Sequence, residues 1–185
     1  MSCKKWPLFC AGLAAVLLLT ACGGAPPGTS STAVAPDFAL TLYQGSDVLG
    51  GPNLHFADLL SKGKPVILNF WAADCPPCKA EMPDLQSVQA QYGDEMILFG
   101  LDVGPFLGLG SRDGGKARIK ELGVTYPAGT TFDAGVLAAY QLLGMPTTVF
   151  IKPGGTIYKR RLGLMTKGDM ETSFKDLLDA SKKGG

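Results

Sequence analysis

Two cysteines, Cys75 and Cys78, enclose two prolines in the sequence CPPC and follow the apolar run Val66–Trp71. The run predicts a buried strand, and the cysteines fall where that strand passes into a predicted helix. At such a point, unpaired backbone N–H groups and the positive end of the helix dipole favour a thiolate over a thiol. The second sulfur is expected one helical turn from the first. The pair is therefore predicted to be a redox couple.

Local chemistry distinguishes the two thiols. If Cys75 is the N-cap residue, Pro76 occupies the first helical position, where a missing N–H costs nothing. Pro77 also lacks an N–H, so the N–H of Cys78 is predicted to bond to the Cys75 sulfur. This arrangement makes Cys75 the attacking thiol with the lower pKa and Cys78 the more buried, resolving thiol.

A zinc site is nearly excluded as the purpose of the CPPC motif. Half of such a site would need two further ligands, and no other cysteine follows residue 22. His55 is the only histidine and lies far from the motif in sequence, so it is predicted to be a structural or surface residue.

The N-terminus has the pattern of a secretory signal. A basic start is followed by an apolar segment at residues 8–19, too short for a membrane span of about 20 residues. Residues 19–22 (LTAC) are similar to a bacterial lipobox, in which the cysteine is lipidated. We predict a signal peptide over 1–21, a lipidated Cys22 in a flexible tether over 22–36, and a folded domain over 37–185. An ordinary cleaved signal and an uncleaved anchor are the alternatives.

Removal of the signal changes the charge and the cysteine content. Two lysines leave with it, so 17 basic residues become 15 against 16 acidic ones, and the net charge changes from +1 to −1. This balance indicates no nucleic-acid partner. Two signal cysteines also leave, and Cys22 is committed to lipid, so only Cys75 and Cys78 remain for chemistry.

Strand patterns alternate with helix patterns along the rest of the chain, which predicts a mixed α/β sandwich. The predicted strands are residues 38–43, 66–71, 96–103, 126–130, 147–152 and 156–162; the predicted helices are 54–60 (a short helix or turn), 76–92, 116–122, 134–143 and 169–180; residues 108–115 are predicted to be a loop.

Two segments carry a family resemblance. Residues 71–83 (WAADCPPCKAEMP) resemble the active-site segment of the TlpA/ResA/DsbE-like thioredoxin family, and residues 144–150 (GMPTTVF) resemble its cis-proline segment. The resemblance runs from residue 37 to the C-terminus. It implies an α/β fold, the thioredoxin-like three-layer sandwich with a central mixed β-sheet and flanking helices.

The same resemblance implies a function. The protein would be a thiol–disulfide oxidoreductase without a cofactor or metal, outside the cytoplasm and lipid-anchored to a bacterial membrane. It would reduce disulfide-containing extracytoplasmic proteins, such as apocytochrome c during cytochrome c biogenesis. A membrane thiol electron donor would then reduce the Cys75–Cys78 disulfide again.

Four further residues enter through this resemblance. Glu81 matches a glutamate that tunes the active-site thiols, and would be a partly buried carboxylate that accepts the Cys78 proton; the alternative is a solvated first-turn acid. The Met145–Pro146 bond would be cis, with the Met145 backbone free to pair with a substrate strand. Trp71 is predicted mainly to pack in the core and at the active site, and is also a candidate for contact with substrate.

The sequence departs from the family pattern at two positions near the cysteines. Asp74 stands where the family usually has an aromatic residue, and its carboxylate is predicted to oppose thiolate formation at Cys75. Asn69 stands where thioredoxin has a buried aspartate, which removes one candidate proton acceptor.

Three other functions remain as alternatives. A thiol oxidant of secreted proteins would use the same fold in the opposite direction. A peroxiredoxin-like peroxidase is disfavoured because residues 72–74 (AAD) lack the Thr or Ser that helps to activate peroxide. A Sco-like copper carrier is disfavoured because no histidine follows Cys78.

Overall fold

The computed structural model describes residues 33–183. Its strands are β1 (Ala39–Gln44), β2 (Asn53–His55), β3 (Val66–Trp71), β4 (Ile97–Asp102), β5 (Ala128–Thr130), β6 (Thr147–Ile151) and β7 (Ile157–Leu162). Its helices are α1 (Ser46–Leu49), α2 (Phe56–Leu60), α3 (Pro76–Tyr92), α4 (Gly104–Leu107), α5 (Arg112–Glu121), α6 (Gly135–Ala139) and α7 (Lys167–Lys182).

The seven strands form one mixed sheet in the order β2-β1-β5-β4-β3-β6-β7. Strand β3 lies beside β4 in parallel and beside β6 in antiparallel orientation. All six residues of β3 are buried, as its continuous apolar sequence predicts for a strand covered on both faces. The CPPC motif therefore follows directly after a strand in the interior of the sheet.

Side chains of β3 alternate between two hydrophobic layers. Ile67 and Trp71 join the layer that contains Cys75, Cys78 and the buried faces of α3 and α7. Leu68 and Phe70 join the opposite layer, which packs against α1, α2 and α6. Helices thus cover both faces of the sheet, and the predicted three-layer α/β sandwich is confirmed.

Both long helices have the predicted character. Helix α3 spans the predicted residues 76–92, and α7 begins at a capping box formed by Thr166 and Asp169. Met170, Phe174, Leu177 and Leu178 of α7 are all buried on its predicted apolar face. These two helices pack against each other on the face of the sheet that bears the cysteines.

The predicted loop at 108–115 is wrong over its second half. Helix α5 already begins at Arg112, because the Ser111 hydroxyl accepts a hydrogen bond from the Gly114 N–H and caps it. Gly115, inside the predicted loop, serves close packing in the helix. A methyl group on Gly115 would overlap Oδ2 of the buried Asp102.

Other boundaries also differ from the predictions. The predicted helix over 134–143 is shorter, because α6 ends at Ala139 and Gln141 adopts a positive φ of 49°. The predicted short helix over 54–60 divides into β2 and α2, and α1 was not predicted. The predicted strands at 38–43, 96–103, 126–130, 147–152 and 156–162 are confirmed, with shifts at their ends.

Gly115→Ala tests the packing between α5 and β4. We expect it to lower the free energy of unfolding by about 1–3 kcal/mol, because Asp102 is held by two hydrogen bonds and cannot move aside freely. Gly114→Ala is the matched control, since its methyl group would lie 3.3 Å from the Ser111 hydroxyl, a tight contact that a shift of a few tenths of an ångström relieves. Urea unfolding of both variants measures the difference, and equal stabilities would contradict this account.

The beginning of the folded domain also needs correction. The N–H of Ala35 bonds to the Gly155 carbonyl, and the N–H of Ile157 bonds to the Ala33 carbonyl. Residues 33–35 therefore pair with residues 155–157 at the start of β7, and Ala35 is buried, so the tether predicted over 22–36 ends earlier. The predicted signal peptide, Cys22 and the rest of the tether lie outside the described residues. None of the helices within 33–183 has the length and apolar character needed to cross a bilayer.

Candidate active site

Cys75 and Cys78 are joined by a disulfide, with their Cα atoms 5.3 Å apart. Cys78 is fully buried, whereas Cys75 keeps 4% of its surface exposed. The site is thus described in its oxidised form. Of the two cysteines, only Cys75 has any exposed surface, which is compatible with its predicted role as the attacking thiol.

The Cys75 sulfur caps helix α3. It accepts a hydrogen bond from the Cys78 N–H at 3.3 Å, while Pro76 and Pro77 occupy the first two helical positions. This is the bond predicted from the two prolines. After reduction, the same N–H and the dipole of a 17-residue helix stabilise negative charge on the Cys75 sulfur.

Glu81 lies one turn after Cys78 and is buried, with 1% of its surface exposed. Its Oε1 accepts a hydrogen bond from Asn69 Nδ2 at 2.8 Å, and its Oε2 accepts one from the Met165 N–H at 3.3 Å. Burial raises the pKa of Glu81 to about 7, although both hydrogen bonds favour the charged form. A solvated first-turn acid is therefore excluded, and the carboxyl group can exchange a proton near neutral pH.

Asn69 connects this carboxyl group to the neighbouring strand. It lies on β3, and its Nδ2 also donates to Thr148 Oγ1 on β6 at 3.0 Å. A neutral amide at this position does not compete with Glu81 for a proton. The buried acid beneath the disulfide is thus supplied by α3 rather than by β3.

The second predicted segment lies where β6 begins. The Met145–Pro146 peptide bond is cis, as the family resemblance implies. Pro146 is buried, and its carbonyl accepts a hydrogen bond from the Gly163 N–H at 2.8 Å. Met145 is half-buried and packs against the hydrophobic cluster that contains both cysteines.

The AhpC/TSA family profile matches residues 32–160. The chain belongs to this family. The chain is also 36% identical over 146 residues to the thiol-disulfide oxidoreductase ResA of Oceanobacillus iheyensis, covering 77% of this chain and 70% of that one. This similarity places it among the ResA-like proteins, and it is a thiol–disulfide oxidoreductase.

Solved structures show the same fold. A protein of Chlorobium tepidum described as thiol:disulfide interchange protein DsbE superposes with a TM-score of 0.65 at 22% identity, over 78% of this chain and 95% of that one. The exposed lipoprotein thioredoxin of Streptococcus pneumoniae superposes with a TM-score of 0.62 at 27% identity, over 76% and 99%.

Among the residues predicted for this ResA-like site, Trp71 needs correction. It is predicted mainly to pack at the site, with contact to substrate as a second role, and its side chain is fully buried at the end of β3. Packing against the cluster of Cys75 and Cys78 is confirmed. The substrate contact is wrong for this structure, because no part of the indole reaches the surface.

Sequence reasoning missed a buried acid on the neighbouring strand of the ResA-like core. Asp102 ends β4 directly beside Trp71, and its carboxylate accepts hydrogen bonds from the Gly104 N–H at 2.9 Å and the Tyr43 hydroxyl at 3.0 Å. Burial raises its pKa to about 6 against these bonds. Its position at the carboxyl end of a parallel strand was the available signal, because such ends line the sites of α/β sheets.

Arg118 is the other missed residue near the ResA-like disulfide. Its Nε donates to the Ala73 carbonyl at 3.1 Å, and its Nη2 lies 3.9 Å from Asp74 Oδ1. No local pattern predicts these contacts, because 45 residues separate Arg118 from Ala73.

Proposed function

We propose that this protein reduces disulfides of extracytoplasmic proteins while a lipid on Cys22 holds it at a bacterial membrane. The observation that carries the reaction is the Cys75–Cys78 disulfide at the N-terminus of α3, with the buried Glu81 one turn below it. The site combines a helix-capping sulfur on Cys75, which keeps 4% of its surface exposed, a fully buried Cys78 and a carboxyl group whose pKa lies near 7.

The reaction begins with the reduced pair. The Cys75 thiolate attacks one sulfur of the partner disulfide, which breaks the partner S–S bond and releases the other partner sulfur as a thiolate. Cys78 then loses its proton and attacks Cys75, so that the second partner thiolate leaves. Two electrons pass from the cysteines to the partner, and the Cys75–Cys78 disulfide remains until a membrane thiol donor reduces it.

Glu81 is the proposed acceptor of the Cys78 proton. Cys78 and Glu81 are both buried on the same helix, three residues apart, which places them on neighbouring turns of one face. A thiol in an apolar environment resists ionisation, so an adjacent base near its working pH accelerates the resolving step.

Met145 and Pro146 are the proposed contact for the partner chain. The half-buried Met145 adjoins the cluster that contains the disulfide, and its flexible thioether suits contact with varied sequences. Its backbone would pair with an extended partner segment beside the reacting cysteine. Oxidised peptides with and without N-methylation next to the cysteine test this pairing, and equal rates would oppose it.

Membrane attachment rests on the lipobox-like residues 19–22. It is supported by the structural similarity to the pneumococcal protein, which is described as an exposed lipoprotein. Mass spectrometry of the mature N-terminus tests it: a diacylated Cys22 is expected, and a mature chain that begins at another residue with no lipid would refute it.

Apocytochrome c is the proposed partner class, by resemblance to the TlpA/ResA/DsbE-like family. An oxidised peptide with the C-x-x-C-H haem-attachment motif is the direct substrate test. We expect it to be reduced faster than the same peptide with its two cysteines moved apart in sequence. Equal rates would indicate a general disulfide reductase and would contradict apocytochrome c as the specific partner class.

The reduction potential decides between reductant and oxidant. We expect the Cys75–Cys78 couple to lie below about −200 mV, more reducing than a disulfide isomerase at about −180 mV. Equilibration with glutathione buffers measures it. A reduction potential of about −120 mV, as in a strong thiol oxidant, would reverse the proposed direction of electron flow. Turnover with hydrogen peroxide would instead favour the peroxidase alternative.

A further inference from the structure

The turn between β3 and the CPPC motif is held from outside by one segment of the chain. The N–H of Asp74 donates to the Leu109 carbonyl at 3.0 Å, and Arg118 Nε donates to the Ala73 carbonyl at 3.1 Å. Gly110 lies so close that a side chain there would overlap the Ala73 methyl group. The backbone directly before Cys75 therefore depends on the segment that follows α4.

Arg118 makes three contacts at this turn, and its side chain is only 21% exposed. Besides Nε on Ala73, its Nη1 pairs with Glu121 Oε2 at 2.7 Å and its Nη2 lies 3.9 Å from Asp74 Oδ1. A guanidinium group can make all three at once because its donors diverge from a rigid plane, whereas a lysine ammonium cannot.

Arg118 can influence the ionisation of Cys75 because of its contact with Asp74. The carboxylate precedes the capping residue Cys75 and disfavours negative charge on the neighbouring sulfur. A guanidinium beside the carboxylate offsets that effect. The other charged groups on the surrounding elements are Lys79, Glu81 and Asp84 of α3, Asp102 of β4, and Arg112, Asp113, Lys116, Lys120 and Glu121 of α5; of these, Glu81 and Asp102 are buried.

We propose that Arg118 is a positioning residue of the thiol–disulfide reaction. It fixes the Ala73–Asp74 turn in front of Cys75 and compensates the Asp74 carboxylate, so that the reduced Cys75 sulfur stays ionised and reactive. The inference rests on exchange chemistry at Cys75 and is independent of the partner and of the direction of electron flow.

Alkylation of the reduced full-length protein by iodoacetamide across pH 5–9 tests this role. The rate reports the Cys75 thiolate directly, without any partner protein. We expect Arg118→Ala to slow alkylation at pH 7 about threefold and to move the midpoint of the pH profile upward, as loss of one charge contact to the exposed Asp74 carboxylate predicts. Lys120→Ala, which removes a positive charge from the same helix, should match the wild type.

A double-mutant comparison with Asp74 distinguishes this charge-compensating role of Arg118 from a general loosening of the turn. In Asp74→Asn/Arg118→Ala the rate should return to within about twofold of the wild type, and Arg118→Lys should fall between the wild type and Arg118→Ala. An unchanged midpoint in Arg118→Ala, or the same slowing with and without Asp74, would overturn the proposal. Should Arg118→Ala not fold, Arg118→Lys with and without Asp74→Asn carries the same comparison.

A failure of the proposed function is distinguishable from a failure of this inference. If the reduction potential makes the protein an oxidant, the alkylation profiles of these variants still differ as described. If the profiles coincide, the reductase assignment is untouched and Arg118 has only a structural role.

Discussion

Replacing Cys75 with serine is expected to lower the rate of disulfide exchange about a thousandfold or more. A hydroxyl group is not ionised at neutral pH and does not form a mixed disulfide, so the first step is lost. The fold should survive, because serine is a favoured N-cap residue and can accept the hydrogen bond that the Cys78 N–H now gives to sulfur. Single-turnover reduction of a fluorescent disulfide substrate measures the rate.

Cys78→Ser is expected to stop the reaction at a different point. Cys75 can still attack, but nothing resolves the intermediate, so a mixed disulfide between Cys75 and the partner accumulates and is visible by intact mass. Circular dichroism of both variants controls for folding. Adduct formation in Cys75→Ser, or rapid turnover in Cys78→Ser, would contradict the assigned order of attack.

Local sequence patterns were sufficient for the elements that carry the cysteines. The apolar run of β3 predicts a strand buried on both faces, and the two prolines after Cys75 predict where α3 begins and which N–H caps the sulfur. Both follow from rules that act within a few residues. The family resemblance added the cis bond before Pro146, which the chain alone does not indicate.

Errors arose where a residue type serves more than one purpose. Gly114 and Gly115 lie in the predicted loop at 108–115, yet both belong to α5, and position 115 is glycine because Asp102 leaves no space for a side chain. Trp71 was named as a candidate substrate contact in addition to its packing role, yet its position in β3 buries it.

Contacts between distant segments could not be predicted from the sequence, for a different reason. Arg118 meets Ala73 across 45 residues, and Asn69 meets Thr148 across 79, because the sheet brings β3, β4 and β6 together. Neither contact leaves a local pattern in the sequence. The predicted site therefore contained both sulfurs and the buried Glu81, but lacked the groups that hold them.

The buried acid beneath the disulfide leads to the second large prediction, in which Glu81→Gln changes the pH dependence of stability. The pKa of Glu81 rises from 4.5 to about 7 on folding, because burial disfavours the charge. The folded protein therefore holds a proton that the unfolded chain has already lost between these values, so stability falls as pH rises through this window. The decline for this group is about 2–3 kcal/mol between pH 5 and pH 8.

Urea unfolding of the oxidised protein and of Glu81→Gln at pH 5, 6, 7 and 8 measures this effect. The variant loses an acceptor for Asn69 or Met165 at every pH, so the quantity to compare is the slope. Stability of the variant relative to the wild type should rise with pH by the amount given above. Asp102, whose pKa of about 6 adds its own slope below pH 6, is present in both proteins and cancels. Parallel slopes would show that Glu81 does not titrate in this range.

The same variant tests the role of Glu81 in catalysis. Glutamine cannot accept the Cys78 proton, so we expect exchange above pH 7 to slow about tenfold to a hundredfold, within the range for loss of a general base. The wild-type rate should show an inflection near pH 7 that Glu81→Gln lacks. Asp102→Asn is the matched control: it removes the other buried acid of the sheet end but should leave that inflection in place. A variant with the wild-type inflection and rate would remove Glu81 from the proton path, even if its effect on stability is found.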